Sequence, residues 1–332
     1  MKIRASIGTA AVLGLEEIIT EAQPTTAYLM QYSEAHCQSN CAFCPQARNC
    51  TGATDRLSRI LWPVYRLETI VEALKTIDTG IRRICIQTVR FQGSEEELFK
   101  VLEVFNKSEL KLPLTVCSYP MSRTLFQKMK SLGVSRVGVA FDCATPELFA
   151  KIKGKERGVT LSWEQIEQAL IEAIRVFGRR FVTTHLIIGL GETEEEAIKF
   201  IQTFHDKGIT IGLFAFTPIK GTALASRSQP ALTSYRRIQL ARYLIVHELS
   251  SYSQMTYEMK GARKGKIKDF GVTSAQIEKA IISGKPFKTS GCPYCNRPFY
   301  NESPGKELYN YPWEPTVKEI TQIQEELKEF LR

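Results

Sequence analysis

Three of the nine cysteines fall within eight positions, in His36-Cys37-Gln38-Ser39-Asn40-Cys41-Ala42-Phe43-Cys44-Pro45, with the spacing C-x3-C-x2-C. Thiolates this close can converge on one compact object. A cuboidal [4Fe–4S] cluster normally takes four cysteines. Three would leave one iron open, and an open coordination position is what separates catalytic from closed structural metal sites. The alternative is a structural zinc site completed by His36 or Cys50. Against it, structural zinc favours paired C-x2-C units.

Such a pair occurs near the other end, in Gly291-Cys292-Pro293-Tyr294-Cys295-Asn296-Arg297-Pro298. Cys292 and Cys295 make half of a metal site and need further ligands. Cys50, or a cysteine facing the interior of the fold, would supply them. Iron–sulfur and zinc both fit, as does a reduced pair in a surface loop. Cys85 and Cys117 fall in predicted strands and Cys143 follows one. The bland reading makes them small buried hydrophobes. The odd cysteine count and the clustering fit reduced thiols better than a secreted disulfide framework.

The elements around these residues alternate. Apolar runs of strand length (25–33, 83–88, 112–117, 136–141, 180–188 and 210–216) alternate with segments of helical period (67–77, 94–105, 122–132, 145–152, a longer one after Ser162, 193–207 and 234–249). Six β-α units in series predict an α/β fold: a parallel sheet with helices outside, closed into a (β/α) barrel, partial or full TIM-type. A doubly wound open sheet competes, and periodicity alone does not exclude it. The cysteine triplet follows the first strand, at the end where barrel active sites assemble. The pattern fades after Leu249. We divide the chain into an N-terminal helical extension (1–24), a barrel core (25–249) and a C-terminal extension with the C-x2-C motif (250–332), closed by an amphipathic helix over 314–331.

These motifs resemble the radical S-adenosylmethionine superfamily. The carriers are the C-x3-C-x2-C loop after the first strand, with Phe43 before the last cysteine; Phe141-Asp142-Cys143-Ala144-Thr145-Pro146-Glu147-Leu148, similar to the family's D-x-x-TPE turn; His185-Leu186-Ile187-Ile188-Gly189-Leu190-Gly191-Glu192, similar to its G-x-I-x-G-x-x-E motif; and Phe216-Thr217-Pro218-Ile219-Lys220-Gly221-Thr222. The resemblance implies that Cys37, Cys41 and Cys44 hold a [4Fe–4S] cluster whose open iron chelates S-adenosyl-L-methionine. One electron then cleaves the sulfonium to a 5′-deoxyadenosyl radical. It also implies that Phe43, Ile188 and Phe216 line the adenine and that Asp142 approaches the ribose. Gln87-Thr88 stand where the family's Gly-Gly-Glu would hold the methionyl amine. From the residues alone, Gly189-Leu190-Gly191 also fits a phosphate-binding turn, and Asp142 a simple turn cap.

Within the superfamily, Cys44-Pro45-Gln46-Ala47-Arg48, Leu57-Ser58-Arg59-Ile60-Leu61-Trp62-Pro63 and the tail 292–310 resemble the biotin synthase and lipoyl synthase branch, nearest the archaeal-type two-protein lipoyl synthase. That resemblance implies sulfur insertion into an octanoyl chain on an acidic carrier protein or lipoyl domain. It also implies a second iron–sulfur cluster, a second radical subunit and a reducing electron donor. In biotin synthase, cysteines on strands two, three and five hold a [2Fe–2S] cluster. Cys85 and Cys117 match the first two positions, whereas Thr183 stands at the third. His185 would position substrate or simply pack.

The balance of 44 basic against 35 acidic residues, +9, favours an acidic partner. Lys260, Arg263, Lys264, Lys266 and Lys268 are candidate contacts, or else a solvated loop. A tRNA-modifying radical enzyme and a zinc-binding interaction protein remain as alternatives. No apolar run approaches the roughly 20 residues of a membrane span, and the stretch 10–15 runs into Glu16-Glu17, a poor signal peptide. The expected compartment is the cytoplasm.

Overall fold

A computed structural model describes residues 1–303 and 305–331, except for the side chain of Arg263. Its strands are β1 (Lys2–Ala5), β2 (Thr26–Gln31), β3 (Arg56–Leu57), β4 (Ile60–Leu61), β5 (Val64–Arg66), β6 (Arg83–Gln87), β7 (Leu114–Ser118), β8 (Val134–Val139), β9 (Val182–Ile188), β10 (Thr210–Ala215), β11 (Thr256–Tyr257) and β12 (Ile267–Asp269). Its helices are α1 (Ile7–Val12), α2 (Leu67–Thr76), α3 (Ser94–Lys107), α4 (Arg123–Ser131), α5 (Pro146–Ile152), α6 (Trp163–Phe177), α7 (Glu194–Asp206), α8 (Leu232–Val246), α9 (Ser274–Ile282) and α10 (Val317–Glu326).

The main sheet runs β10-β9-β8-β7-β6-β2-β1-β5. From β2 to β10 the six strands are parallel, and each is the spatial neighbour of the next in the chain. A doubly wound sheet reverses its strand order at a switch point. This one never reverses, so with right-handed crossovers every connecting helix falls on the same face, and the sheet curls into a partial (β/α) barrel. β1 and β5 add an antiparallel edge. Residues 1–24, expected as a helical extension, therefore open with a strand. Four residues are too short to carry a readable period.

Alternation along each strand sends one set of side chains to the helices and the other to the lumen. On the helix side, Phe141 of the segment after β8 meets Trp163 at 4.1 Å between ring centroids, and Phe204 at 4.8 Å. The lumen side is lined by Tyr28, Cys85, Gln87, Cys117, Thr183, His185, Ile187, Gly212 and Phe214.

The helices start where side chains answer their free N–H groups. At α7, Thr193 accepts from the Glu196 N–H while the Glu196 carboxylate accepts from the Thr193 N–H, a reciprocal capping box. Thr193→Ala should lower stability by about 1 kcal/mol. The check is urea unfolding with a reduced midpoint and an unchanged m-value.

The C-terminal extension packs into the barrel. Thr25 N–H donates to Asn296 Oδ1 at 3.0 Å, Leu213 N–H to Ser290 Oγ at 2.8 Å, and Ser58 Oγ to the Tyr300 carbonyl at 2.6 Å. Asn301 Nδ2 donates to the Ala215 carbonyl at 2.7 Å. The segment 289–302 thus spans from the free edge of β10 to the β2 side and fills the seam that six parallel strands leave open. Arg237 and Glu194 anchor the extension further: Glu194 accepts from Arg237 Nη2 at 2.6 Å and from the Ile267 N–H at 2.9 Å. Among the described residues, no helix is long and apolar enough to cross a membrane.

Candidate active site

The triplet loop sits at the C-terminal ends of the parallel strands because backbone contacts clamp it there. The Ala42 N–H donates to the Ile152 carbonyl at 2.8 Å, and the Leu224 N–H to the Ala42 carbonyl at 3.1 Å. The loop after Cys50 meets the segment after β10 backbone to backbone. Gly221 has φ +89°, and a Cβ there would stand 2.3 Å from the Gly52 nitrogen, so only glycine fits.

Cys37 accepts from the Arg90 N–H at 3.3 Å and shares a hydrogen bond with the Tyr119 hydroxyl at 3.0 Å. Cys41 and Cys44 line a cavity of about 280 Å³ that descends into the lumen. Burial pushes the Cys41 thiol up to about 11 and raises Cys44 as well.

Phe43, Gln87, Asp142 and Phe216 all line this cavity. Ile188 does not: it is 2 % exposed in the core, and Ile187 takes the lumen position instead. Gln87 is engaged below, donating from Nε2 to Cys85 Sγ at 3.1 Å. Asp142 is held in a left-handed backbone conformation, φ 65°, and its Oδ2 accepts from Lys153 Nζ at 2.6 Å. The turn cap is Thr145, whose side chain accepts from the Leu148 N–H. Lys153, which sequence reasoning passed over, is buried among Asp142, Cys41 and Cys143. Burial opposes its charge, but the Asp142 carboxylate prevails and holds its ammonium above the ordinary lysine range. Glu192 accepts from the Gly189 N–H at 2.6 Å and the Leu190 N–H at 3.1 Å. Those donors are spent on a carboxylate, so the glycine turn offers no phosphate cradle.

At the lower end of the same cavity four more thiols meet: Cys85 of β6, Cys117 of β7, and Cys292 and Cys295 of the tail. Register explains the first pair. Gln87 pairs with Cys117 across β6 and β7, and Cys85 lies two residues before Gln87 on the same face. The closeness of the two thiols holds Cys117 below and Cys85 above the ordinary thiol range, and His185 beside Cys117 lowers it further. Tyr28 Oη lies 3.4 Å from Cys295 Sγ, and Arg297 Nη1 donates to the same sulfur at 3.3 Å. Burial pushes Cys292 up to about 11. Thr183 stands in this layer beside Cys117, both crowding Gly138. His185 packs edge-on against Phe214 at 5.0 Å. Cys50 is buried under its own loop, accepting from the Gly52 N–H at 3.3 Å. All nine cysteines are free thiols.

A barrel with three thiols above its strand ends defines a class, and residues 35–204 match the model of the Radical SAM superfamily, half of the chain; the chain belongs to that superfamily. Over 160 residues it is 31% identical to the GTP 3′,8-cyclase of Nautilia profundicola, covering 46% of each chain. Over 249 residues it is 25% identical to the dual-specificity RNA methyltransferase RlmN of Geobacter sulfurreducens, covering 71% of this chain and 64% of that one. The chain thus spans less than two thirds of either relative. Among solved structures, the hydrogenase maturase HydG from Carboxydothermus hydrogenoformans aligns with a TM-score of 0.52 at 17% identity, over 84% of this chain and 70% of that one. Methylornithine synthase (PylB) aligns with a TM-score of 0.51 at 16% identity, over 66% and 62%. These likenesses show the fold, a partial barrel with extensions. They do not single out the biotin and lipoyl branch.

The residues fit the superfamily's cofactors. Cys37, Cys41 and Cys44 would hold the [4Fe–4S] cluster. The wall beside them offers S-adenosylmethionine apolar surfaces at Phe43 and Phe216, and the Ser118 hydroxyl, a buried group on the cavity wall without a hydrogen-bond partner among the described residues.

Proposed function

We propose that the chain generates a 5′-deoxyadenosyl radical and uses it to prepare an unactivated carbon of an apolar chain for sulfur insertion. An octanoyl chain on a lysine of an acidic carrier domain is the substrate that fits best. One observation carries this reading: Cys41 and Cys44 of the triplet and the second group of thiols line one cavity with mostly apolar walls. When bound, the cluster and S-adenosylmethionine supply the radical, at the cost of one electron from a reductant and one methionine released per C–H bond opened.

The protein's part is placement and exclusion. Phe43, Leu161, Phe214 and Phe216 keep water from a reactive carbon centre. Gln87 donates to Cys85, and His185 lies beside Cys117, so both flank the thiol layer from which the sulfur would come. On the surface, Lys260, Lys264 and Lys268 are exposed, whereas Lys266 is tied to Glu329 at 3.1 Å. The Arg263 side chain lies outside the described residues. The three exposed lysines suit an acidic carrier. Neutralising them should slow association, since rim charges act mainly on the on-rate. The effect should shrink as salt cuts the Debye length from about 10 Å at 0.1 M to about 3 Å at 1 M.

The test is mass spectrometry of an octanoyl-lysyl peptide after anaerobic turnover, with and without a second radical subunit. A gain of sulfur on the peptide is expected. RNA modification is the second reading, favoured by the RNA methyltransferase relative and the +9 charge. No sulfur gain on the peptide, together with a modified RNA, would establish it instead.

A further inference from the structure

We infer that Cys85, Cys117, Cys292 and Cys295 together hold one auxiliary iron–sulfur cluster, assembled when the tail docks in the lumen. The inference rests on the proposed function only for the use of the cluster as a sulfur source; the metal site stands or falls with these four residues.

Two independent observations carry it. The first is convergence. A strand pair and a tail pair, about two hundred residues apart in sequence, present four sulfurs to one layer of the cavity. Four cysteines complete either a [2Fe–2S] or a [4Fe–4S] ligand set. A single zinc ion would need its sulfurs gathered about one point at roughly 2.3 Å each. Among the described residues no three His, Cys, Asp or Glu side chains are drawn together tightly enough to hold a metal ion.

The second observation is charge. Arg83, Arg136 and Arg297 surround the four sulfurs: Arg83 and Arg136 lie close enough to Cys292 to act on its thiol, and Arg297 donates to Cys295. Arg83 and Arg136 are buried, and none of the three has a salt bridge among the described residues. Arg83 donates to Thr115 Oγ1 at 2.8 Å and to the Pro293 carbonyl at 3.2 Å, while Arg136 donates from Nη2 to the Arg180 carbonyl and leaves Nε buried without a partner among the described residues. The nearby carboxylate, Glu302, spends its oxygens on the N–H groups of Asn301, Tyr309 and Asn310. Buried guanidinium groups without a counter-charge are costly. Four thiolates around an iron–sulfur core are anionic and supply that charge.

Iron and sulfide in the anaerobically reconstituted full-length chain give the first readout. About six or about eight irons per chain, from a [4Fe–4S] cluster plus a second cluster of two or four irons, are expected; about four would overturn the inference. The second readout uses the Cys85→Ser, Cys117→Ser pair and the Cys292→Ser, Cys295→Ser pair. Each should lose the same two or four irons, with the Mössbauer signature of the triplet's cluster retained. Retained iron in either pair, or zinc replacing it, overturns the shared site. Cys50→Ser and Cys143→Ser should keep all iron. The wild-type count stands even if a pair variant fails to fold. Sulfur insertion can fail while this second cluster is present, so the two readings separate.

Discussion

Replacing Cys37, Cys41 and Cys44 together with Ala is expected to abolish 5′-deoxyadenosine formation and to remove about four irons per chain. The expectation follows from position: Cys41 and Cys44 face the cavity, and Cys37 is fixed by the Arg90 N–H and the Tyr119 hydroxyl. The four lumen cysteines lie deeper and are held by other elements, so any iron they hold should persist. Cofactor cleavage at the wild-type rate in the triple variant would defeat the assignment of the triplet.

Lys153→Met should cost about 3–5 kcal/mol of stability, the usual result of stripping a buried charge of its partner. Asp142 and Lys153 are both buried and meet at 2.6 Å. Without Lys153, the carboxylate faces Cys41 and Cys143 uncompensated. Adding Asp142→Asn should recover most of the loss, because asparagine tolerates the left-handed φ of 65° and carries no charge. A double variant no more stable than Lys153→Met would show that the lysine acts by packing alone. The pH dependence has a definite sign. A lysine raised in the fold contributes its full stability below the unfolded value near 10.4 and loses it as pH rises through the folded value. Wild-type stability should therefore fall above that pH by a step that Lys153→Met lacks.

The triplet was legible because its chemistry is local: three thiols and an aromatic residue within eight positions need no tertiary contact to be read. The order of β-α units was legible for the same reason, since each carries its own period. Register was not. Thr183, Thr184 and His185 put polar side chains on both faces of β9 and its last three residues are all apolar, so no clean alternation marks which side meets the lumen. A shift of one residue exchanges Ile188 for Ile187. Lys153 lies in a run of lysines and glycines that reads as surface, and only its closeness to Asp142 and Cys41 gives it a role. For the tail pair the sequence leaves Cys50 and an interior cysteine equally open as further ligands. The choice depends on a tail that docks across the whole barrel, which spacing cannot encode.

That tail also sets an order of events. The contacts that seal the seam join residues about 270 positions apart, as between Thr25 and Asn296. Closing so long a loop costs entropy before any contact repays it, so such pairings form late. The helix-wrapped sheet can assemble from neighbouring units while its flank is still open. The segment bearing Cys292 and Cys295 then arrives last, which makes the completed lumen a product of the final folding step rather than a template for the earlier ones.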